Sequence, residues 1–173
     1  MKPKVANASS LGSLGFGMTT ILYSIVGAGF FSINTMLISM AIFLGGVTQI
    51  IAGLLEYKKG NTFGYVSYTM FGLFWFTSAS MTLMPFFVQI HGANSMFMGL
   101  FYLLWTVFTV MLYLQTLKMD KLTNVIFLTV VILFGTITVS NFTGIKLVGN
   151  LAGWIGIICG SLAMYSAHKG LSS

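Results

Sequence analysis

Most of this chain is written in continuous apolar runs, each about as long as a helix needs to cross a membrane. The hydrocarbon core takes about 20 helical residues. Six such runs can be marked, at 14–33, 36–55, 64–85, 96–117, 122–140 and 148–168. Short breaks separate them: Ser32 to Thr35, Glu56 to Phe63, Phe86 to Ser95, Lys118 to Lys121 and Asn141 to Leu147. A water-soluble fold is excluded by charge. Charged residues make up 6% of the 173 residues, where an ordinary soluble domain carries roughly 25%. Mean hydropathy is +0.95. A transmembrane β-barrel is excluded by pattern, because its strands alternate polar and apolar residues over about ten positions, and these runs do not alternate. The sequence therefore predicts an all-α integral membrane protein with six transmembrane helices. It divides into an N-terminal segment (1–12), one transmembrane domain (13–170) and a tail (171–173). Lys2 and Lys4 are followed by polar residues, so the layout of a cleaved signal peptide is not expected.

The few charges are unevenly spread. Six passes put both termini on one side. Lys2, Lys4, Lys58, Lys59, Lys118, Lys121 and Lys169 collect there, against Lys146 alone on the other. Lysine excess marks the cytoplasmic side, so both termini are expected in the cytoplasm and the protein in the cell inner membrane. The net charge of +6 forms no basic stripe, which argues against nucleic acid as a partner and for the lipid bilayer. The single cysteine, Cys159, lies in an apolar run and is expected as a buried packing thiol. Gly149 and Gly153, and Gly156 and Gly160, have the spacing that lets membrane helices approach closely, as do Gly60 and Gly64. The last span is the expected buried helix or subunit contact.

Catalysis would need acids, bases, nucleophiles or metal ligands in proximity. The carboxylates are Glu56 and Asp120, both at span ends, and the histidines are His91 and His168. They form no recognisable constellation, so neither an enzyme nor a cofactor is expected. What the spans do carry is neutral polar and aromatic residues at helical spacing. Phe16, Thr20, Tyr23 and Gly27 share one helical face, as do Ser67, Phe71, Trp75, Ser78 and Thr82. Val130, Phe134, Thr138 and Asn141 follow more loosely. Hydroxyls of this kind often only bond back to their own helix. Three such stripes in one small protein favour a narrow, mostly uncharged path.

Several strings resemble one family. They are NASSLGSLGFGMTT at 7–20, AGLLEYKKGNTFG at 52–64, FGLFW at 71–75 and AGWIGIICG at 152–160. Together they are similar to the acetate uptake transporters, whose bacterial members are succinate–acetate permeases. The resemblance implies a homohexamer of six-helix protomers, each with its own path for small carboxylates: acetate, and by extension succinate, lactate or propionate. The family signature Asn-Pro-Ala-Pro-Leu-Gly is kept at Asn7, Leu11 and Gly12, while Ala8 and Ser10 replace its prolines. Asn7 or Ser10 can cap the first helix, and free N–H groups there favour an anion. The family constriction of Phe, Tyr and Leu falls on Phe16, Phe71 and Val130. Phe71 lacks the phenol and Val130 is one methylene shorter than Leu, which predicts better tolerance of bulkier acids. Tyr68, one turn away, is a candidate for supplying the missing hydroxyl. Substrate-contacting or mouth positions are expected at Asn7, Leu11, Gly12, Thr19, Thr20, Tyr68, Trp75 and Ala163, and an anion-attracting vestibule charge at Glu56, Lys58 and Lys59.

Two mechanisms fit these residues. One is a channel of weak successive sites. The other is proton-linked crossing, with the proton riding on the substrate because no ionisable residue lies mid-span. The alternatives are a channel for a small neutral solute such as urea or ammonia, and a non-transporting assembly subunit.

Overall fold

Polar side chains at the breaks start the helices by accepting from backbone N–H groups that have no partner in the first turn. Asn7 accepts from Ser9 N–H at 3.2 Å, Asn34 from Leu37 at 3.1 Å, Asn61 from Gly64 at 3.1 Å, Asn94 from Phe97 at 2.9 Å and Asp120 from Thr123 at 3.0 Å. The computed structural model describes residues 6–89 and 91–172. Among these, the caps open α1 (Ala8–Gly27), α2 (Thr35–Lys58), α3 (Thr62–Leu83), α4 (Ser95–Thr116) and α5 (Lys121–Thr143); α6 (Lys146–Leu171) follows Ile145 without a side-chain cap. Lys2, Lys4 and Ser173 lie outside the described residues.

The first boundary differs from expectation. Apolarity favours 14–33, but the helix runs from Ala8 to Gly27, starting inside the segment expected to precede it. Its polar start is held by tertiary partners: Ser9 Oγ donates to Glu56 at 3.0 Å, and the Tyr68 hydroxyl donates to Ser9 O at 2.9 Å. Phe30 and Phe31, which drew the predicted span forward, sit exposed in the following turn.

By length and apolarity α1, α2, α4, α5 and α6 can each cross a membrane. Helix α3 has the length, with 22 residues, but Ser, Thr and Gly on its inner faces lower its hydropathy. The ends of the chain are in keeping with a pass by α3 as well. The Asn7 amide lies 3.3 Å from Gly170 O, so α1 begins where α6 ends, which needs an even number of passes.

Helices α1 and α6 touch backbone to backbone. A methyl on Gly17 would lie 2.7 Å from Gly160 O, and one on Gly153 would run into the Ala28 backbone. The glycine spacing of the last span thus serves contact within the protomer. Between α3 and α4, rings fill the space: Phe74 stands 5.0 Å from Trp105 and Phe71 6.2 Å from it, with Phe134 of α5 joining both. In α2 a π-helical stretch, Ala41–Thr48, carries Gly45 and Gly46 directly against the Trp75 and Phe76 rings. Cys159 is fully buried, as expected, facing Ile126 O at 4.0 Å.

Candidate functional site

The predicted stripes face one another around two cavities. At the end away from the chain termini lies an outer cavity of about 890 Å³, lined by Thr20, Tyr23, Trp75, Ser78, Phe134 and Asn141 among others. At the terminal end lies an inner cavity of about 280 Å³, lined by Asn7, Ser10, Ser13, Gln49, Tyr68 and Ala163 among others. Phe16 and Val130 line both. Phe71 lines the inner one, its ring centroid 5.5 Å from that of Phe16. All three are buried. Two wet-sized spaces therefore abut across a dry wall of two rings and one isopropyl group.

Among the described residues no Lys, Asp or Glu lines either cavity. Among the described residues, the buried polar atoms without a hydrogen-bond partner are Ser10 Oγ, Thr20 Oγ1, Tyr23 OH, both amide atoms of Gln49, Thr69 Oγ1 and Trp75 Nε1. All but the Thr69 hydroxyl belong to side chains that line a cavity. A buried donor or acceptor left unpaired costs about 1–3 kcal/mol, so such atoms are rare and call for a partner. Their concentration here means that cavity contents, water or a permeant, supply the missing bonds.

The stripes agree well with this geometry. On the α1 stripe Phe16, Thr20 and Tyr23 line a cavity, and so does every residue of the α3 stripe: Ser67 and Phe71 the inner, Trp75, Ser78 and Thr82 the outer. Gly27 also lines the outer one. Thr138 does not; its hydroxyl bonds Phe134 O at 2.8 Å and meets Thr106 at 3.3 Å.

Several expected positions are placed otherwise. Leu11 is 40% exposed and lines neither cavity. Gly12 lies under the Tyr68 ring, where a Cβ would come within 2.5 Å of Cδ1. Thr19 is buried against α2, its hydroxyl 3.4 Å from Met40 O. Of the kept signature residues Asn7, Leu11 and Gly12, Asn7 alone reaches a cavity. Tyr68 lines the inner cavity, but its hydroxyl is committed to Ser9 O and to Ser13 Oγ, each at 2.9 Å. It holds the start of α1 and does not replace a phenol at the constriction. Glu56 is buried behind the cavity wall, accepting from Ser9, from Asn61 Nδ2 at 2.6 Å and from Lys59 Nζ at 3.4 Å. Lys59 is thereby paired and Lys58 points to the exterior, so neither faces the inner cavity. The charged group anchors α1 to the α2–α3 turn.

Sequence reasoning passed over Gln49. The signal was available: a lone amide inside the run from Ile42 to Leu55, where a polar side chain in a membrane span calls for a role.

The sequence matches the profile of the GPR1/FUN34/yaaH family over residues 1–173. It is 43% identical over 164 residues to the succinate-acetate/proton symporter SatP of Escherichia coli (strain K12), covering 95% of this chain and 87% of that one. It is 32% identical over 178 residues to ammonia transport outward protein 2 of Saccharomyces cerevisiae, covering 98% of this chain and 63% of that one. The solved structure of the bacterial acetate channel SatP has a TM-score of 0.93 to it at 42% identity, covering 95% of this chain and 91% of that one.

Proposed function

The chain belongs to the GPR1/FUN34/yaaH family, and from that membership we propose that it passes acetate and related short carboxylates across a membrane by a path inside each protomer. It is a transport protein, not an enzyme, in keeping with its relatives. The observation that carries the reading is the pair of cavities meeting end to end at Phe16 and Val130. On this reading the outer cavity receives the carboxylate, where Thr20, Tyr23 and the donor-only Trp75 Nε1 replace its water. Phe16, Phe71 and Val130 form the barrier. An anion crossing such a dry wall loses its solvation, whereas a carboxylic acid with a pKa of about 4–5 is partly neutral in acid medium. The substrate thus carries its own proton, and succinate, lactate and propionate are further substrates.

The assembly is a homohexamer in the cell inner membrane with cytoplasmic termini. The lysine asymmetry supports that orientation: Lys58, Lys59, Lys118, Lys121 and Lys169 lie at helix ends on the terminal side, and Lys146 opens α6 on the other. The uncharged lining also suits a neutral solute such as ammonia or urea, which is the second reading.

The test is labelled acetate uptake into proteoliposomes at two external pH values, with unlabelled lactate, succinate and urea as competitors and Phe16→Ala as the variant. Saturable uptake, competed by carboxylates, altered by Phe16→Ala and rising as external pH falls at fixed membrane potential, is the expected result. Competition by urea alone would replace the carboxylate reading with the neutral-solute one.

A further inference from the structure

Gln49 is the one amide in the wall of the inner cavity that is wholly buried. It shares that wall with Phe16 and Phe71, on the cytoplasmic flank of the constriction under the reading above. Neither its Nε2 nor its Oε1 has a partner in the protein. A primary amide offers two donor hydrogens and a carbonyl acceptor side by side. The complementary edge on a ligand is one acceptor next to one donor. A neutral carboxylic acid has that edge, in its C=O and O–H. A carboxylate has only acceptors and would set an anionic oxygen against Oε1.

No charged side chain among the described residues lines the inner cavity to hold an anion. Among the described side chains lining the inner cavity Tyr68 alone titrates. Two turns further along α2, Glu56 lies behind the wall, neutralised by Lys59. The outer cavity is different, because its unpaired groups are hydroxyls and an indole N–H, all able to donate to an anion.

We propose that Gln49 is the inner subsite of the path and reads the protonated form of the acid by two-point pairing, its N–H donating to the acid C=O and its C=O accepting the acid O–H. The proposal rests on the carboxylate reading of the path. It makes the inner side of the constriction selective for neutral acids and for primary carboxamides of the same size, which carry the same donor–acceptor edge. The proton then leaves the substrate only after Gln49, in the terminal-end vestibule.

The probes are acetamide, which has the edge, and methyl acetate, which matches it in size and lacks the donor. In proteoliposomes acetamide is expected to inhibit labelled acetate uptake and methyl acetate to inhibit it far less. Gln49→Met keeps an unbranched side chain and removes the edge. It should raise the KM for acetate and weaken acetamide inhibition, each by about tenfold, as expected for losing two neutral hydrogen bonds. Gln49→Glu keeps the edge only while protonated, so its uptake should follow the natural protein near about pH 5 and fall away towards about pH 9. Thermal stabilisation of the purified protein by acetamide gives a readout independent of transport. Stabilisation that depends on Gln49 in a protein that takes up no acetate would sink the carboxylate reading and leave the subsite standing. Unchanged KM and acetamide inhibition in Gln49→Met overturn the subsite. Should Gln49→Met fail to fold, a Gln49→Glu profile superimposed on the natural one overturns it equally.

Discussion

At the scale of single residues, the proposed barrier turns on a few carbons. Val130 is 2% exposed and touches both cavities, so a methylene added there extends into the space between them. One methylene in a tight apolar site discriminates by about tenfold or more. Val130→Leu is therefore expected to lower the ratio of propionate or lactate flux to acetate flux by about that factor. The measurement is paired uptake of both acids in the same vesicles. Identical ratios would mean that Val130 does not set the aperture. Residue type brought Phe16, Phe71 and Val130 forward through the family resemblance, and they stand together between the two cavities. It predicted hydroxyls poorly. Tyr68 and Thr20 both carry a hydroxyl and both line a cavity, yet Tyr68 is bonded twice and Thr20 not at all.

At the scale of helices, caps and close approaches set where each pass begins and how near its neighbour lies. Asp120 caps α5 and also accepts from Thr123 Oγ1 at 2.6 Å. The Thr123 hydroxyl, with backbone N–H groups behind it, holds the Asp120 carboxyl below its ordinary value of 3.8. A depressed folded-state pKa stabilises the fold above the unfolded value, and that contribution is lost as pH falls through the folded one. Asp120→Ala is expected to cost about 1 kcal/mol near neutral pH, read as a lower Tm of the purified protein. The gap should close as pH drops below 3.8. A gap that persists in strong acid would show that the cap works through shape and not charge. The small-residue spacing of α6 was legible as a contact, but its partner was not, since spacing alone does not distinguish α1 of the same chain from another subunit. Gly17 opposite Gly160 answers that question.

At the scale of the molecule, the terminal end gathers lysines and the inner cavity, and the far end holds Lys146 and the outer cavity. The buried Cys159 leaves a silent background for thiol labelling. In intact cells Lys146→Cys is expected to react with a membrane-impermeant maleimide, while Lys121→Cys should react only after the membrane is opened. The reverse pattern would invert the orientation and exchange the two mouths. The apolar exteriors of α4 and α5, with Leu104, Met111 and Ile132 exposed, are the surfaces left for lipid or neighbouring protomers.

The sequence by itself determined the membrane class, five of the six expected passes, the gathering of lysines at one end, the family, and two of the three cavity-lining stripes in full. These are sums or periods along the chain, and neither depends on which helix packs against which. Tertiary structure decided the rest. It moved α1 six residues towards the N-terminus of its expected start, because Glu56 and Tyr68 hold the polar residues that apolarity had left out. It withdrew Leu11, Gly12, Thr19 and the Glu56–Lys59 pair from the cavities and brought Gln49 into one. Whether a buried polar group is satisfied depends on atoms that other helices bring to it, and that information is not local to any stretch of sequence.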